Sequence, residues 1–308
     1  MQIYLPIAET SVNAFTMAGM GTAVGFLSGM FGIGGGFLIT PLLMLMGIPA
    51  AVAIATGANQ VVASSVSGTL SQWRRGNVDV KMGTVLLAGG VLGAFIGVQL
   101  VRLLKQTGYI DLTIALLYVI FLSSIGTLML VESVNAMRRA HLGKVISARR
   151  PGQHSWIHGL PLKLRFQRSK LYISAIPPFV IGALVGLLSG ILGVGGGFIM
   201  VPAMIYLLRM PTKVVIGTSL FQVIFVAGLT TIFHAAANQA VDLLLAFLLM
   251  LGGVVGAQFG ASAGQRLRSE HLRALLALLV LGVCIRLMAD LITPPPHPYA
   301  VDTITTGA

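Results

Sequence analysis

Charge is scarce in this chain: of its 308 residues only 9% are Asp, Glu, Lys or Arg, and only 8 of them are acidic. Soluble domains devote about a quarter of their residues to these four types, so a solvated surface is excluded. Cysteine is nearly missing as well. Cys284 stands alone, which rules out an intramolecular disulfide and a thiolate metal site. No HExxH, GxSxG or Walker pattern and no paired carboxylates occur, so neither an enzyme nor a cofactor is expected. Met1 to Ser11 carries no Lys or Arg. Without a basic n-region there is no signal-peptide pattern, and the first apolar run is expected to stay in the protein.

What fills the chain instead is apolar. Hydrophobic residues make up 56% of it, and the mean hydropathy is +0.92. A helical span needs about 20 consecutive apolar residues. Runs of that order lie at Asn13 to Phe31, Val52 to Trp73, Val80 to Leu104 and Ile110 to Val131, and the same set recurs after residue 172. They are continuous and rich in Leu, Ala and Gly rather than alternating, which excludes a transmembrane barrel. The expected fold is an all-α polytopic membrane protein.

The acidic residues avoid the centres of these runs. Asp79, Asp111, Asp242 and Asp290 sit near predicted ends, where Asp79 and Asp242 suit helix capping better than a proton relay. Arg286 can snorkel to the interface, and the lone His234 reads as packed or interfacial.

The formal charge is +12. Nine basic residues fall in one stretch between Glu132 and Tyr172, namely Arg138, Arg139, Lys144, Arg149, Arg150, Lys163, Arg165, Arg168 and Lys170. In a membrane protein such a cluster marks a cytoplasmic loop. No recognition motif accompanies it, so no nucleic-acid partner is expected.

The chain repeats itself. Gly25 to Met44 reads GFLSGMFGIGGGFLITPLLM and Gly186 to Ile205 reads GLLSGILGVGGGFIMVPAMI, with ten of the twenty positions identical. Thr56 and Gln60 recur as Thr218 and Gln222, Asp79 as Asp242, and Gly89-Gly90 with Gly93 and Gly97 as Gly252-Gly253 with Gly256 and Gly260. The expected organisation is therefore a first transmembrane repeat at 12–131, a basic cytoplasmic loop at 132–172, a second repeat at 173–291 and a periplasmic tail at 292–308. Each repeat holds about five hydrophobic segments.

Corresponding loops carry opposite charge bias. Arg74, Arg75 and Lys81 follow the third segment of the first half, whereas His234 to Ala240 in the second has no Lys or Arg. Gly47-Ile48-Pro49 is neutral, but its counterpart Arg209 to Lys213 is basic; Arg266, Arg268 and Arg273 outweigh Arg102 and Lys105. Inverting one half relative to the other puts seventeen of the twenty basic residues in the cytoplasm and both termini in the periplasm of a bacterial inner membrane. Inverted repeats are an architecture of secondary transporters, with a site near the midplane between the halves. Some channels share it, so function must be sought in the site.

Each glycine triplet, Gly34-Gly35-Gly36 and Gly195-Gly196-Gly197, precedes a short apolar segment containing Pro41 or Pro202. Eleven residues rise only about 16 Å as a helix, half the hydrocarbon core. Three glycines break the chain, and the prolines are expected to mark the first turn of the half-helix that follows. A bare helix N-terminus inside the protein attracts an anion without a buried cation. The alternative role of these glycines is to let helices approach closely. Thr56, Asn59 and Gln60 share one face of the third segment, with Thr218, Ser219 and Gln222 in the second half. They can donate to an oxyanion or bond neighbouring helices.

The doubled pattern Gly29-x-x-Gly32-x-Gly34-Gly35-Gly36-Phe37 and Gly190-x-x-Gly193-x-Gly195-Gly196-Gly197-Phe198, each followed by Pro41 or Pro202, resembles the sulfite exporter TauE/SafE family over roughly Phe15 to Leu291. The resemblance implies a bacterial multi-pass permease with inverted halves for sulfite, organosulfonates or related sulfur compounds, driven by the proton-motive force. It also implies that the glycine motifs with Gln60 and Gln222 form the central substrate site.

The reading is a secondary transporter of small anions in the lipid bilayer, with self-association left open. A membrane scaffold recruiting a partner through the basic loop, or an anion channel, is the alternative.

Overall fold

A computed structural model describes residues 2–31, 34–141, 163–166, 168–169, 171–264 and 269–292. Those residues form two β-hairpins and ten helices, in two consecutive sets. Hairpin β1 (Gln2–Leu5) and β2 (Thr10–Asn13) leads into α1 (Ala14–Phe31), α2 (Gly36–Leu45), α3 (Ala50–Arg74), α4 (Val80–Thr107) and α5 (Ile110–His141). Hairpin β3 (Lys163–Phe166) and β4 (Leu171–Ser174) leads into α6 (Ile176–Leu192), α7 (Gly197–Tyr206), α8 (Thr212–Asn238), α9 (Leu243–Gly264) and α10 (Ser269–Ile292). Seven of these helices are long and apolar enough to cross a membrane. Helices α2 and α7, ten residues each, rise only about 15 Å and cannot.

The halves interlock rather than sit side by side. Helix α1 lies along α9, and α6 lies along α4, so the first helix of each half packs on the fourth helix of the other. Helices α3 and α8 pair between them, and α5 pairs with α10. Without a hydrophobic drive between helices in lipid, close backbone approach through small residues must supply the contact. The chain provides glycines at four-residue spacing on all four partners. Gly21, Gly25 and Gly29 of α1 meet the backbone of Leu249, Gly253 and Ala257 on α9, whose Gly252, Gly256 and Gly260 meet that of Ala18, Thr22 and Phe26; Gly89, Gly93 and Gly97 of α4 and Gly182, Gly186 and Gly190 of α6 interdigitate in the same way. A Cβ on Gly25 would sit 2.7 Å from the Cα of Gly253, and one on Gly186 would sit 2.7 Å from the Cα of Gly90.

The hairpins are the part that composition did not announce. Helix α5 runs past Val131 to His141, and β3–β4 occupies the end of the stretch expected to be loop. The two hairpins share one register: Gln2 faces Asn13 and Leu5 faces Thr10, just as Lys163 faces Ser174 and Phe166 faces Leu171. Leu5 and Phe166, at corresponding places, are fully buried. Each turn closes over the start of a helix in the other half. Ile7 donates its backbone N–H to the Asp242 carboxylate at 3.3 Å, while Ser169 donates its N–H and its hydroxyl to Asp79 at 2.9 and 2.6 Å. Arg168 adds a bond from its guanidinium to the Gly76 carbonyl at 2.7 Å. Of the expected basic loop, 142–162, 167 and 170 lie outside the described residues, as do Arg266, Arg268 and the tail at 293–308.

The interlock predicts unequal tolerance within one helix. Gly25→Val drives two methyl groups into the backbone of α9 and is expected to cost at least about 1–3 kcal/mol, seen as a lower melting temperature in detergent. Gly19→Val on the same helix, where a Cβ meets nothing within 4 Å, is expected to melt like the native protein. Equal melts would show that α1 does not depend on α9 for its seat.

Candidate functional site

Both glycine turns are left-handed where the sequence demands it. Gly34 and Gly35 have φ of 88° and 69°, and Gly195 and Gly196 have φ of 70° and 81°; a side chain at any of the four would be strained. Gly35 and Gly196 are the N-caps of α2 and α7, so the helices begin at the third glycine of each triplet. The prolines therefore do not mark the first turn, contrary to expectation. Pro41 and Pro202 lie inside their helices, because the glycine turn alone initiates each one. Having no N–H, each proline leaves the carbonyl four residues back, Phe37 or Phe198, without its helical donor.

The two turns meet. A Cβ on Gly36 would lie 2.6 Å from the Val194 carbonyl oxygen. Gly34 and Gly195 both rest against Val61 and Val223, which come from α3 and α8. Immediately after the turns, the rings of Phe37 and Phe198 stack with centroids 4.1 Å apart and planes 14° from parallel. Two helix N-termini thus converge on one place, each bringing unbonded backbone N–H groups and roughly half a positive charge.

Gln60 and Gln222 directly precede Val61 and Val223, and both are fully buried. Neither amide has a hydrogen-bond partner on its nitrogen or its oxygen. Each rests on a glycine of the neighbouring long helix: Gln60 Nε2 is 3.0 Å from where a Cβ of Gly253 would be, and Gln222 Nε2 is 2.7 Å from that of Gly90. Both glycines of the Gly252-Gly253 and Gly89-Gly90 pairs serve the interlock, and the second of each pair also makes room for an amide. An unpartnered buried amide costs about 1–3 kcal/mol. Two of them, at corresponding positions, mark where a polar ligand would be stabilised most.

The other expected residues divide. Thr56 and Thr218 are fully buried, but their hydroxyl oxygens accept the backbone N–H of Asp242 at 3.1 Å and of Asp79 at 3.0 Å. They belong to the cap clusters at the starts of α9 and α4. There Asp79 accepts the Met82 N–H at 3.2 Å, and Asp242 accepts those of Leu244 and Leu245 at 3.1 Å, so both carboxylates cap as expected. Ser219 donates to the Ile216 carbonyl of its own helix at 3.1 Å. Asn59 is half-buried, at the edge of the cluster.

Two residues were overlooked. Ser64 donates to the Gly34 carbonyl at 3.2 Å, and the buried Ser65 hydroxyl, unpartnered, lies beside the same glycine. Thr56, Gln60 and Ser64 follow one another at four-residue spacing, a signal legible in the sequence. The corresponding residues of α8, Val226 and Ala227, are apolar, so the first half alone adds these hydroxyls.

The model of a protein family described as "Sulfite exporter TauE/SafE" matches residues 17–287. A "Probable membrane transporter protein" of Xylella fastidiosa (strain 9a5c) is 31% identical over 271 residues, covering 87% of this chain and 92% of the relative. "Probable membrane transporter protein YunE" of Bacillus subtilis (strain 168) is 26% identical over 280 residues, covering 88% and 96%. No solved structure matches.

The hydrogen-bond pattern predicts opposite signs for neighbouring substitutions. Thr56→Val or Thr218→Val strands a buried N–H and is expected to cost about 1–3 kcal/mol, read as a lower melting temperature. Gln60→Leu or Gln222→Leu replaces an amide without partners and is expected to leave the melting temperature unchanged or raise it. A large drop for the leucine variants would mean that the amides are bonded in the resting protein.

Proposed function

The chain belongs to the sulfite exporter TauE/SafE family of membrane transporters, and from that premise we propose that it carries small anions, sulfite, organosulfonates or related sulfur compounds, across the bacterial inner membrane by alternating access. The observation that carries the reading is the pair of buried, unpartnered amides of Gln60 and Gln222 beside two converging helix N-termini. Neutral donors and helix dipoles can hold a negative charge at the bilayer centre, where a full cation would be costly when the site is empty. The amides orient the oxyanion, and the N–H groups of the glycine turns neutralise it. Ser64 and Ser65 add hydroxyls from the first half.

Asp79 and Asp242, the buried carboxylates among the described residues, are spent on capping. The proton-motive force is proposed as the driving force on the family resemblance alone. The proposed orientation puts the Arg74 to Lys81 connection and the basic stretch after α5 in the cytoplasm, and both termini in the periplasm. The repeat supports alternating access: in this reading the contact between the Gly36 and Val194 turns parts for an anion to bind, and the two halves part it towards opposite faces.

The test is uptake of radiolabelled sulfite and of sulfoacetate into proteoliposomes under an imposed proton gradient. Gln60→Leu and Gln222→Leu are each expected to cut flux about 10- to 100-fold, the worth of a hydrogen bond to a charged group, while inserting and eluting as the native protein does. Saturable, gradient-coupled flux is expected; flux that does not saturate would indicate a channel, and native flux in both variants would remove the amides from the site.

A further inference from the structure

The two halves correspond in their glycines and glutamines but not in the space beside them. Between α3 and α9 runs a groove of about 550 Å³. Arg74 and Arg75 stand at its outer end, Ser67, Ser71 and Gln258 line its length together with the exposed Val66 and Leu70, and Ala63 and Val254 lie at its inner end. The inner end is the important one. Ala63 lies three residues beyond Gln60 on α3, and Val254 directly follows Gly253, the glycine on which the Gln60 amide rests. The groove therefore leads from two exposed arginines to the wall of the buried amide.

The corresponding space between α8 and α4 is built differently. Aligning Gln60 with Gln222 and Gly253 with Gly90 puts Phe233 in the place of Ser71 and Phe95 in the place of Gln258. Those two rings pack edge to face with centroids 5.6 Å apart. Phe225 stands where the first half has Ala63, and Ala236 and Ala237 stand where it has Arg74 and Arg75. The α3–α9 space thus has hydroxyls, an amide and two arginines where the α8–α4 space has packed aromatic rings, and the cation at the outer end of α8, Lys105, is held by the Asn238 carbonyl at 3.1 Å.

Resting on the transport reading above, we propose that the α3–α9 groove is the cytoplasmic vestibule for a small soluble oxyanion, and that Phe95 with Phe233 closes the opposite route to Gln222. Arginine guanidinium groups at an open mouth raise the local concentration of anions, and both suit sulfonate or sulfite oxygens. The hydroxyls and the Gln258 amide then replace part of the hydration shell on the way in. The asymmetry lies in side-chain identity, so it persists in every conformation of the helices.

The single native cysteine makes a direct test available. In a Cys284→Ser background, Ser71→Cys and Phe233→Cys are placed in inside-out vesicles of neutral phosphatidylcholine. They are labelled with anionic 2-sulfonatoethyl methanethiosulfonate or its cationic trimethylammonium analogue. Ser71→Cys is expected to react at least about tenfold faster than Phe233→Cys and to favour the anionic reagent; Arg74→Gln with Arg75→Gln is expected to reduce that preference about tenfold. Equal, slow labelling at both positions would mean that lipid fills the groove, and an anionic preference that survives loss of the arginines would remove them from the vestibule. Either result overturns the proposal. Loss of labelling on adding phosphatidylglycerol would assign the groove to a lipid headgroup and overturn it as well. Since labelling requires no flux, these outcomes are separate from failure of the transport reading, which the flux assay alone decides.

Discussion

Backbone contact between the halves is the constraint on which everything else rests. Four helices carry glycines at four-residue spacing, and each meets a partner from the other half so closely that a methyl group would collide with main chain. In lipid this is how a helix pair gains packing energy, since burying leucine against leucine offers little over leucine against acyl chains. The result is an exchange: neither half completes its own bundle, and α3 and α8 are enclosed between the two interlocked pairs. Enclosure puts Gln60 and Gln222 out of contact with lipid. The doubled glycines Gly89-Gly90 and Gly252-Gly253 connect packing to chemistry, because both members admit the partner helix and the second also makes room for an amide.

The proposed site is prepared for charge without installing one. The buried carboxylates are bonded locally by N–H groups of their own helix starts and across the halves by Ile7 or Ser169 of the hairpins, while the backbone N–H of each aspartate is bonded to Thr56 or Thr218 of the other half. The centre is left with dipoles only: two half-helix ends and two amides. Such an arrangement is cheap to bury when empty, compared with an ion, and favours anions when filled. The symmetric core does not impose symmetric surroundings. Ser64, Ser65 and the arginine-flanked groove lie along α3, and the Phe95–Phe233 contact lies along its counterpart α8.

Much of this was legible in the chain itself. The all-α membrane class followed from hydropathy, the broken short segments from the glycine triplets, and the capping aspartates from their places at segment ends. The role of the prolines was misjudged, because proline at a helix start and proline within a glycine-initiated helix look alike in a sequence. The hairpins were missed for a different reason. Strands of four residues have too short a period-two pattern to stand out, and the basic residues Lys163, Arg165 and Arg168 made their surroundings read as solvated loop.

By itself the sequence determined what depends on composition and on order along the chain: membrane residence, duplication, and the backbone freedom of Gly34, Gly35, Gly195 and Gly196. Only the tertiary structure decided which polar groups find partners. Thr56 and Gln60 stand four residues apart on one helix face, both able to donate and to accept hydrogen bonds, and nothing local decides which of them finds a partner. Thr56 meets the N–H of Asp242, which lies 186 positions away, whereas Gln60 meets the bare backbone of Gly253 and remains unpartnered. Satisfaction of a buried donor is a property of whatever the fold brings to it, and here that comes from the other half of the chain.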